Sequence, residues 1–394
     1  MTLIECFTQA DIDNVASCLR LRPEKLILIG RQKEMPLARY EKLLRKRKQK
    51  TKIQPCNVEH KSCQEICNAL HKLLLQEKKC VIDITGGDET VILAVGMVLV
   101  QIDPAMRQNV RVEKYDHVRG VVTDCVRNRR LPNTRPVNLT VEELILLHGG
   151  CIHPDSYQPP AAFEYTDLEP VWQLSKDWND GIGKLLEFEK RSTAQNPLEI
   201  SAPWSDLHSI SRFTEKEAIV EDLLDKMHRK GIINDYSNFY CMQYEYRSEE
   251  LRYCTAKAGN VLEMKTLLEA RSVTENGVPY FGDCRMSVSM DWDGVVNSAK
   301  PGTNNEIDVV LMRGTTPLFI SCKNGDVEEE ELYKLNTVAN RMGGKYVRKM
   351  LVATNFNKGE AFAQRARDMG IYLAANVADL SHDQWREILV KAVQ

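Results

Sequence analysis

An α/β protein with two domains and a connector between them is what this sequence predicts, and three observations carry the expectation. Apolar runs such as "TLIECF", "KLILIGR", "CVIDIT" and "VRVEKY" alternate with amphipathic stretches through residues 1–150. Unbroken apolar strands separated by helices belong to a mostly parallel sheet covered on both faces. From 151 to 250 the character changes to a proline-bearing, loop-rich segment, "HPDSYQPPAAFEYTDLEP", followed by one strong helical pattern. From about residue 255 a helix, three strands, a helix, a strand and a helix follow in turn. The expected division is therefore 1–150, 151–250 and 251–394.

Size and composition bound the function. The 394 residues have room for two domains. Hydrophobic residues at 43 % and charged residues at 27 % are ordinary for a soluble globular chain. The net charge of −2 gives no bulk positive field, so a polyanion site has to be local. No run approaches the roughly 18 apolar residues of a membrane span, and "MTLIECFTQADID" lacks the basic start of a signal peptide. The twelve cysteines are scattered without a C-x-x-C pair, and several lie in apolar elements. A reduced, cytoplasmic protein with free thiols is expected, rather than a zinc or disulfide framework.

In the first domain "TLIECF" reads as a strand, "QADIDNVASCLRL" as a helix and "KLILIGR" as a second strand. The helix "CQEICNALHKLLLQE", the strand "CVIDIT" (80–85), "VRVEKY" and a strand near "GVVTDC" complete it. The informative turn is "VIDITGGDETVILAVG" (81–96), where a strand stops, Gly86 and Gly87 turn the chain, and a helix starts. Glycines let a ligand approach the backbone, and open α/β sheets bind ligands at the carboxyl ends of their strands. The pattern is neither G-x-G-x-x-G nor a GK[ST] loop, which argues against a dinucleotide dehydrogenase or an ordinary NTPase. Taken alone it satisfies a backbone angle and no more. The basic run 31–52, with Lys46, Arg47, Lys48 and Lys50, reads as a solvated surface, with steering of nucleic acid as the alternative.

The connector holds a helix over "EKEAIVEDLLDKMHRKGIIND" (215–235) with a stop at Gly231, then an alternating strand "YSNFYCMQYEY". Nothing in it has catalytic spacing. It is expected to relay state between the flanking domains.

The chemistry is expected after residue 255. A helix over "GNVLEMKTLLEARSV" precedes strands at 285–295, 305–312 and 317–323. A helix through "EEELYKLNTVANRM", the strand 345–354, a helix from "KGEAFAQRARDMG" and the short strand "IYLA" follow. In "NEIDVVLM" Glu306 and Asp308 share a face by the period of two. Two acids on one face of an apolar strand are costly unless they meet a cation or water. Twelve residues separate Asp308 from Ser321, a hairpin through "RGTT" that brings Lys323 of "PLFISCKNG" beside Asp308. A divalent cation on Asp308 would activate a water and shield phosphate charge. Lys323 would orient that water or stabilise the phosphorane, and the Cys322 backbone carbonyl is a further hard oxygen ligand. A solvated hairpin with a lysine at its end explains each half of this set, but less well the two together.

These residues carry a resemblance. The helix–strand order around "NEIDVV…SCKNG…ELYKL" is similar to the PD-(D/E)xK nuclease core, and "DITGGDET" with "LTVEELILLHGG" (139–150) resembles the CRISPR-associated Rossmann-fold (CARF) sensor. Their order along nearly the whole chain resembles the Can/Card nucleases of type III CRISPR defence. The resemblance implies a homodimer that binds cyclic tetra-adenylate and is thereby activated as a Mn²⁺- or Mg²⁺-dependent nuclease on DNA or RNA. It implies that Thr85, Gly86 and Gly87, with Thr8 and Gln9, line the ligand pocket. It implies Asp308, Lys323, Glu263 and Ser321 as catalytic, and Asp308, Glu306, Glu263 and the Cys322 carbonyl as metal ligands. Two departures stand out. Asp88 and Glu89 sit where many relatives are neutral or basic, so they point away or positive charge comes from elsewhere. Ser321 stands where a carboxylate is usual, and Glu263, Glu306 and Glu331 are the candidates to replace it, the first two ahead of Glu331. The rival reading is a non-catalytic, ligand-sensing regulator that binds nucleic acid through a degenerate nuclease domain. A second alternative is a constitutive repair or restriction nuclease.

Overall fold

The structure is a computed structural model describing residues 1–132, 135–178, 181–296, 304–325 and 327–394. Asp326, which opens the acidic run, lies outside them. Among the described residues the N-terminal part builds a seven-stranded sheet in the order β3-β2-β1-β4-β5-β6-β7. The strands are β1 (Thr2–Cys6), β2 (Lys25–Gly30), β3 (Lys52–Asn57), β4 (Cys80–Asp83), β5 (Val110–Asp116), β6 (Val121–Asp124) and β7 (Arg129–Leu131). Pairing is parallel from β3 to β5 and antiparallel from β5 to β7. Strands β1 and β4 are buried throughout, which is why they read as unbroken apolar runs. One face packs on helices α1 (Ala16–Leu21) and α2 (Leu37–Lys46). The other packs on α3 (Cys63–Gln76) and α4 (Glu89–Gln101), and a short α5 (Pro104–Arg107) leads into β5.

Three details differ from expectation. The helix over 9–21 is helical only from Ala16, because the Asn14 amide returns to the backbone of Thr8, accepting from its N–H at 2.9 Å and donating to its carbonyl at 2.8 Å. Such local side-chain bonds compete with a helix. Strand β3 escapes notice because it is a polar edge strand containing Pro55. Within the basic run 31–52, α2 buries Tyr40, Leu43 and Leu44, and Lys46 and Arg47 at its end are already paired to Glu142 and Glu143.

After α6 (Val141–Leu147) the chain adds β8 (Cys151–Ile152) to the edge of the second large sheet. The connector is more structured than its prolines suggest. It contains α7 (Tyr165–Ser175), α8 (Gly181–Glu189), α9 (Trp204–Leu207) and α10 (Phe213–Arg229), with β9 (Glu199–Pro203) pairing with β10 (Cys241–Glu245). Burial of Leu168, Val171, Trp172 and Leu174 carries α7 through Pro170, where a loop was expected.

The C-terminal part begins with α11 (Glu249–Ala256) and α12 (Asn260–Ser272), then a small hairpin of β11 (Thr274–Glu275) and β12 (Val278–Pro279). Next come β13 (Asp283–Asp291), β14 (Asn304–Arg313), β15 (Thr316–Lys323), α13 (Glu329–Gly343), β16 (Arg348–Ala353), α14 (Glu360–Asp368), β17 (Ile371–Ala374) and α15 (His382–Val393). Among the described residues the sheet order is β17-β16-β15-β14-β13-β8. The terminal helix α15 was not expected. It buries Trp385 and Leu389 against the α12 face.

The connector packs on one side of the second sheet rather than between the two main domains. One face of the second sheet shares a core with α12, α15 and the connector, including Val309, Ile320 and Trp172. The opposite face, through Val310, Phe319 and Leu351, shares a core with α13 and with Leu3, Val81 and Leu144 of the N-terminal part. The two main domains therefore touch directly, and the connector lies on the far side of the second sheet. Among the described residues no helix is long and apolar enough to cross a membrane.

Candidate active site

Strands β14 and β15 pair from Arg313–Thr316 to Val309–Ile320 and no further. Where they part, the Asp308 carboxylate enters the gap. Its Oδ2 accepts from the Cys322 amide at 2.6 Å and from the Ser321 hydroxyl at 3.2 Å. Within an extended strand a residue's N–H and C=O point to the same side, so the Cys322 carbonyl is directed toward Asp308 as well. On the other neighbour, Ser287 of β13 takes a left-handed φ of 47°. The strand alternation slips there, with Met286 and Val309 in one core cluster and Val288 and Ile307 in the other. A left-handed non-glycine residue inside a strand is unusual and stores strain.

That slip gives Ser287 its role. Its hydroxyl donates to Glu263 of α12 at 3.2 Å and meets the Tyr253 hydroxyl of α11 at 2.5 Å. Glu263 is thereby aimed at the gap from the helix side. Burial, then the Asp308 charge, push the Glu263 carboxyl up to about 8. Burial likewise raises Asp308, against the Cys322 amide, Lys323 and Ser321, all of which lower it, while Glu306 adds to the rise. Glu306 is exposed on the same strand and its charge acts on Glu263 and Asp308 alike.

Lys323 ends β15, as the sequence suggested, and its ammonium pairs with Glu331 of α13 at 2.8 Å. Burial disfavours that ammonium, but the Glu331 bond and the charge of Asp308 outweigh it and hold the pKa above the ordinary lysine value. Glu331, the third candidate to replace the missing acid, thus binds the lysine and a second lysine, Lys334, at 3.1 Å. Ser321 is a hydrogen-bond partner of Asp308. Tyr253 and Ser287 were missed, since neither residue type nor spacing marks them. Only the left-handed φ does.

Glu263, Asp308 and the Cys322 carbonyl form a hard-oxygen set suited to a divalent cation, since a cation is what two mutually repelling, partly buried carboxylates lack. Among the described residues, no three acid, histidine or cysteine side chains stand close enough to hold an ion by themselves. The fit therefore rests on two carboxylates and a backbone oxygen, with Glu306 beyond them.

In the first domain Thr8, Gln9 and Gly86 line two adjoining clefts at the carboxyl end of β1 and β4, of about 280 and 790 Å³. A side chain at Gly86 would come within 2.4 Å of the Thr8 methyl, so only glycine lets the two turns approach. Thr85 is not directed to the clefts. Its hydroxyl bonds Asp83 and accepts from the Tyr115 amide at 2.8 Å. Gly87 packs against Val91 and lines neither cleft. Asp88 caps α4, accepting from the Val91 amide at 2.9 Å, which accounts for one of the two unexpected acids.

Residues 254–389 match the family described as Card1-like, endonuclease domain. No curated protein matches the sequence significantly. Among solved structures, protein VC1899 from Vibrio cholerae is similar at a TM-score of 0.72 and 16 % identity, covering 100 % of this chain and 97 % of that one. Can2 from Sulfobacillus thermosulfidooxidans, in complex with cyclic tetra-adenylate, is similar at 0.67 and 16 % identity, covering 100 % and 99 %. A type III CRISPR defence DNA nuclease activated by cyclic oligoadenylate is similar at 0.52 and 14 % identity, covering 91 % of this chain and 46 % of that one. The chain thus has the Card1/Can2-like CARF-nuclease fold, a CARF-like α/β domain followed by a PD-(D/E)xK-like domain whose residues 254–389 match the Card1-like endonuclease family.

Proposed function

We propose that the protein is a metal-dependent nuclease of type III CRISPR defence, cleaving DNA or RNA when cyclic tetra-adenylate occupies its CARF-like domain. The observation that carries this reading is the meeting of Glu263, Asp308 and Lys323 where β14 and β15 part. The fold it shares with a Can2 bound to cyclic tetra-adenylate supports the choice of ligand.

A Mn²⁺ or Mg²⁺ ion held by Glu263, Asp308 and the Cys322 carbonyl, with Glu306 beyond them, would supply Lewis acidity toward the scissile phosphate and an activated water. The chain's own residues do the rest. The Cys322 amide and Ser321 hydroxyl fix the rotamer of Asp308, and Ser287 with Tyr253 fixes Glu263. Lys323 stays protonated and offers its charge to the phosphate oxygens as negative charge develops there. Glu331 holds that ammonium in place while no phosphate is near.

The working form is a homodimer. Ile92, Leu93, Met97 and Val100 of α4 and Leu75 of α3 leave an apolar face exposed on the CARF-like domain, a face a second copy would cover. The site of action is the cytoplasm.

Cleavage of labelled single-stranded DNA, single-stranded RNA and supercoiled plasmid, with and without Mn²⁺ and cyclic tetra-adenylate, tests the reading beside Lys323→Ala. Cleavage that needs both additions and is lost in the variant supports it. Cleavage without the nucleotide detaches the sensor from the chemistry. Ligand-dependent binding of nucleic acid with no cleavage gives the molecule to the regulator reading.

A further inference from the structure

The larger cleft at the CARF-like domain is not made by that domain alone. One wall is the turn bearing Thr8, Gln9 and Gly86. The other comes from the end of α13 and the start of β16, with Arg341, Lys345 and Lys349. A ligand carrying several phosphates needs positive charge, and the turn itself supplies Asp13 instead. In this larger cleft Arg341, Lys345 and Lys349 stand on the nuclease side, while Lys61 of the CARF-like domain lines the smaller cleft beside it.

Their commitments differ. Lys349 is tied to the Asn336 side chain at 2.7 Å and the Met369 carbonyl at 2.5 Å. Arg341 stands over the Trp292 ring, 4.0 Å from its centroid. Lys345 is more than half exposed, and its nearest anion is Asp13 Oδ2 at 3.7 Å, beyond hydrogen-bond reach. That oxygen is buried and accepts no hydrogen bond among the described residues. Asp13 Oδ1 accepts from the Tyr346 hydroxyl at 2.8 Å, and His117 Nε2 lies 3.0 Å from it. Asp13 also packs under Gly86, its Cβ within 2.9 Å of where a side chain there would begin.

We propose that Lys345, with Arg341 beside it, is part of the anionic-ligand site, so that the nuclease domain completes the pocket of the sensor in its own chain. This deepens the function proposed above and rests on it. A phosphate seated against the Thr8–Gly86 turn meets the Lys345 ammonium, which leaves its loose contact with Asp13. Of the acids near the turn, Asp88 accepts from the Val91 amide as the cap of α4, and Asp13 keeps the Tyr346 hydroxyl on Oδ1 when Lys345 moves off Oδ2. Ligand charge is then read at the carboxyl end of α13, whose first turn carries Glu331, the partner of Lys323.

The experiment is calorimetric titration of the full chain with cyclic tetra-adenylate at two salt concentrations. Lys345→Ala is expected to bind about tenfold more weakly, the value of one charge-assisted contact, with a shallower salt dependence. Lys345→Arg should stay within about threefold of the parent, and Lys391→Ala, at an exposed position of α15, should not differ from it. Unchanged affinity and salt slope in Lys345→Ala overturn this inference while leaving the sensor reading intact. If the parent binds none of cyclic tri-, tetra- or hexa-adenylate, the sensor reading falls and this inference with it.

Discussion

The role given to Ser321 leads to a measurement in which two substitutions must differ sharply. Its hydroxyl reaches Asp308 at 3.2 Å, long for an O–H···O bond, so its loss is worth about 1 kcal/mol, or roughly fivefold in rate. The shorter bond from the Cys322 amide remains and keeps Asp308 in place. Glu263→Gln instead removes a carboxylate from the proposed ligand set. Because changes merely adjacent to a metal's ligands cost about 10–100-fold, the loss should exceed about 100-fold. Unfolding cannot explain it. Burial and Asp308 push Glu263 up to about 8, so the folded chain holds a proton that the unfolded chain releases near the ordinary glutamate value. That stability is full below about 4.3 and is lost as pH rises toward 8. The amide in Glu263→Gln cannot titrate, so this variant loses the dependence and should melt no lower than the parent at neutral pH. The assay is the initial rate of plasmid cleavage at saturating Mn²⁺ and cyclic tetra-adenylate, beside a melting curve for each variant. Equal losses in Ser321→Ala and Glu263→Gln would refute the view that the acid has moved from β15 to α12.

Three further outcomes follow from two buried charged groups and one tight turn. Glu5 has two buried oxygens without a hydrogen bond among the described residues, and burial and then Asp83 raise its pKa, as burial raises that of Asp83. Stability should therefore decline as pH climbs above the ordinary carboxylate range, and Glu5→Gln should raise the melting temperature at pH 8 more than at pH 5. A parent whose melting temperature is flat from pH 5 to 8 contradicts this. Lys265, on α12 two residues from Glu263, is buried against Tyr165, Trp172 and Trp385 and paired with Glu269 at 2.8 Å. Lys265→Met leaves buried Glu269 with His382 Nδ1 at 2.7 Å as its remaining ion-pair partner among the described residues, and should cost about 3 kcal/mol in denaturant titration, most of it recovered by adding Glu269→Leu. Gly344 has φ +66° and leaves only 2.5 Å between an added Cβ and His148. Gly344→Ala should cost at least about 1–2 kcal/mol, and no loss would show that this turn relaxes freely.

What was legible in the sequence was what periodicity and residue chemistry encode. Buried strands β1, β2 and β4, the α12 helix and the β13–β15 order followed from apolar runs and spacing, and so did the approach of Asp308 to Lys323. The bent entry to α1 was hidden because it depends on one asparagine folding back on Thr8. The chemistry of Ser287 was hidden because a serine in a strand announces nothing, whereas a serine at φ 47° reorients Glu263. The turn "TGG" was legible as a tight approach, but not which of its residues face the clefts. Thr85 hydrogen-bonds inward because Asp83, buried beside it, needs a donor. The connector was misplaced for a plainer reason. Proline content marks loops, but where a segment packs is decided by partners such as α12, far off in the chain.

The shared core limits how the ligand can act within one chain. Leu3, Val81 and Leu144 of the CARF-like domain lie in one apolar cluster with Met290, Phe319 and Leu351 of the nuclease sheet. Separating such side chains costs about 1.5–3 kcal/mol each, so swinging one domain away from the other would cost more than ligand binding commonly supplies. The β14–β15 turn adds polar anchors, as Thr315 and Thr316 bond His117 and the Leu139 amide bonds the Gly314 carbonyl at 2.9 Å. Any response inside the chain must therefore be a small shift at the cleft, passed along α13, or a rearrangement between copies. Hydrogen exchange separates these from a domain swing. On adding cyclic tetra-adenylate, amides of the β14–β15 turn should keep their protection while those around Gly344–Val347 and the first turn of α13 change. Loss of protection at the β14–β15 turn would mean that the two domains part, and that the apolar contact between them is far weaker than its buried side chains imply.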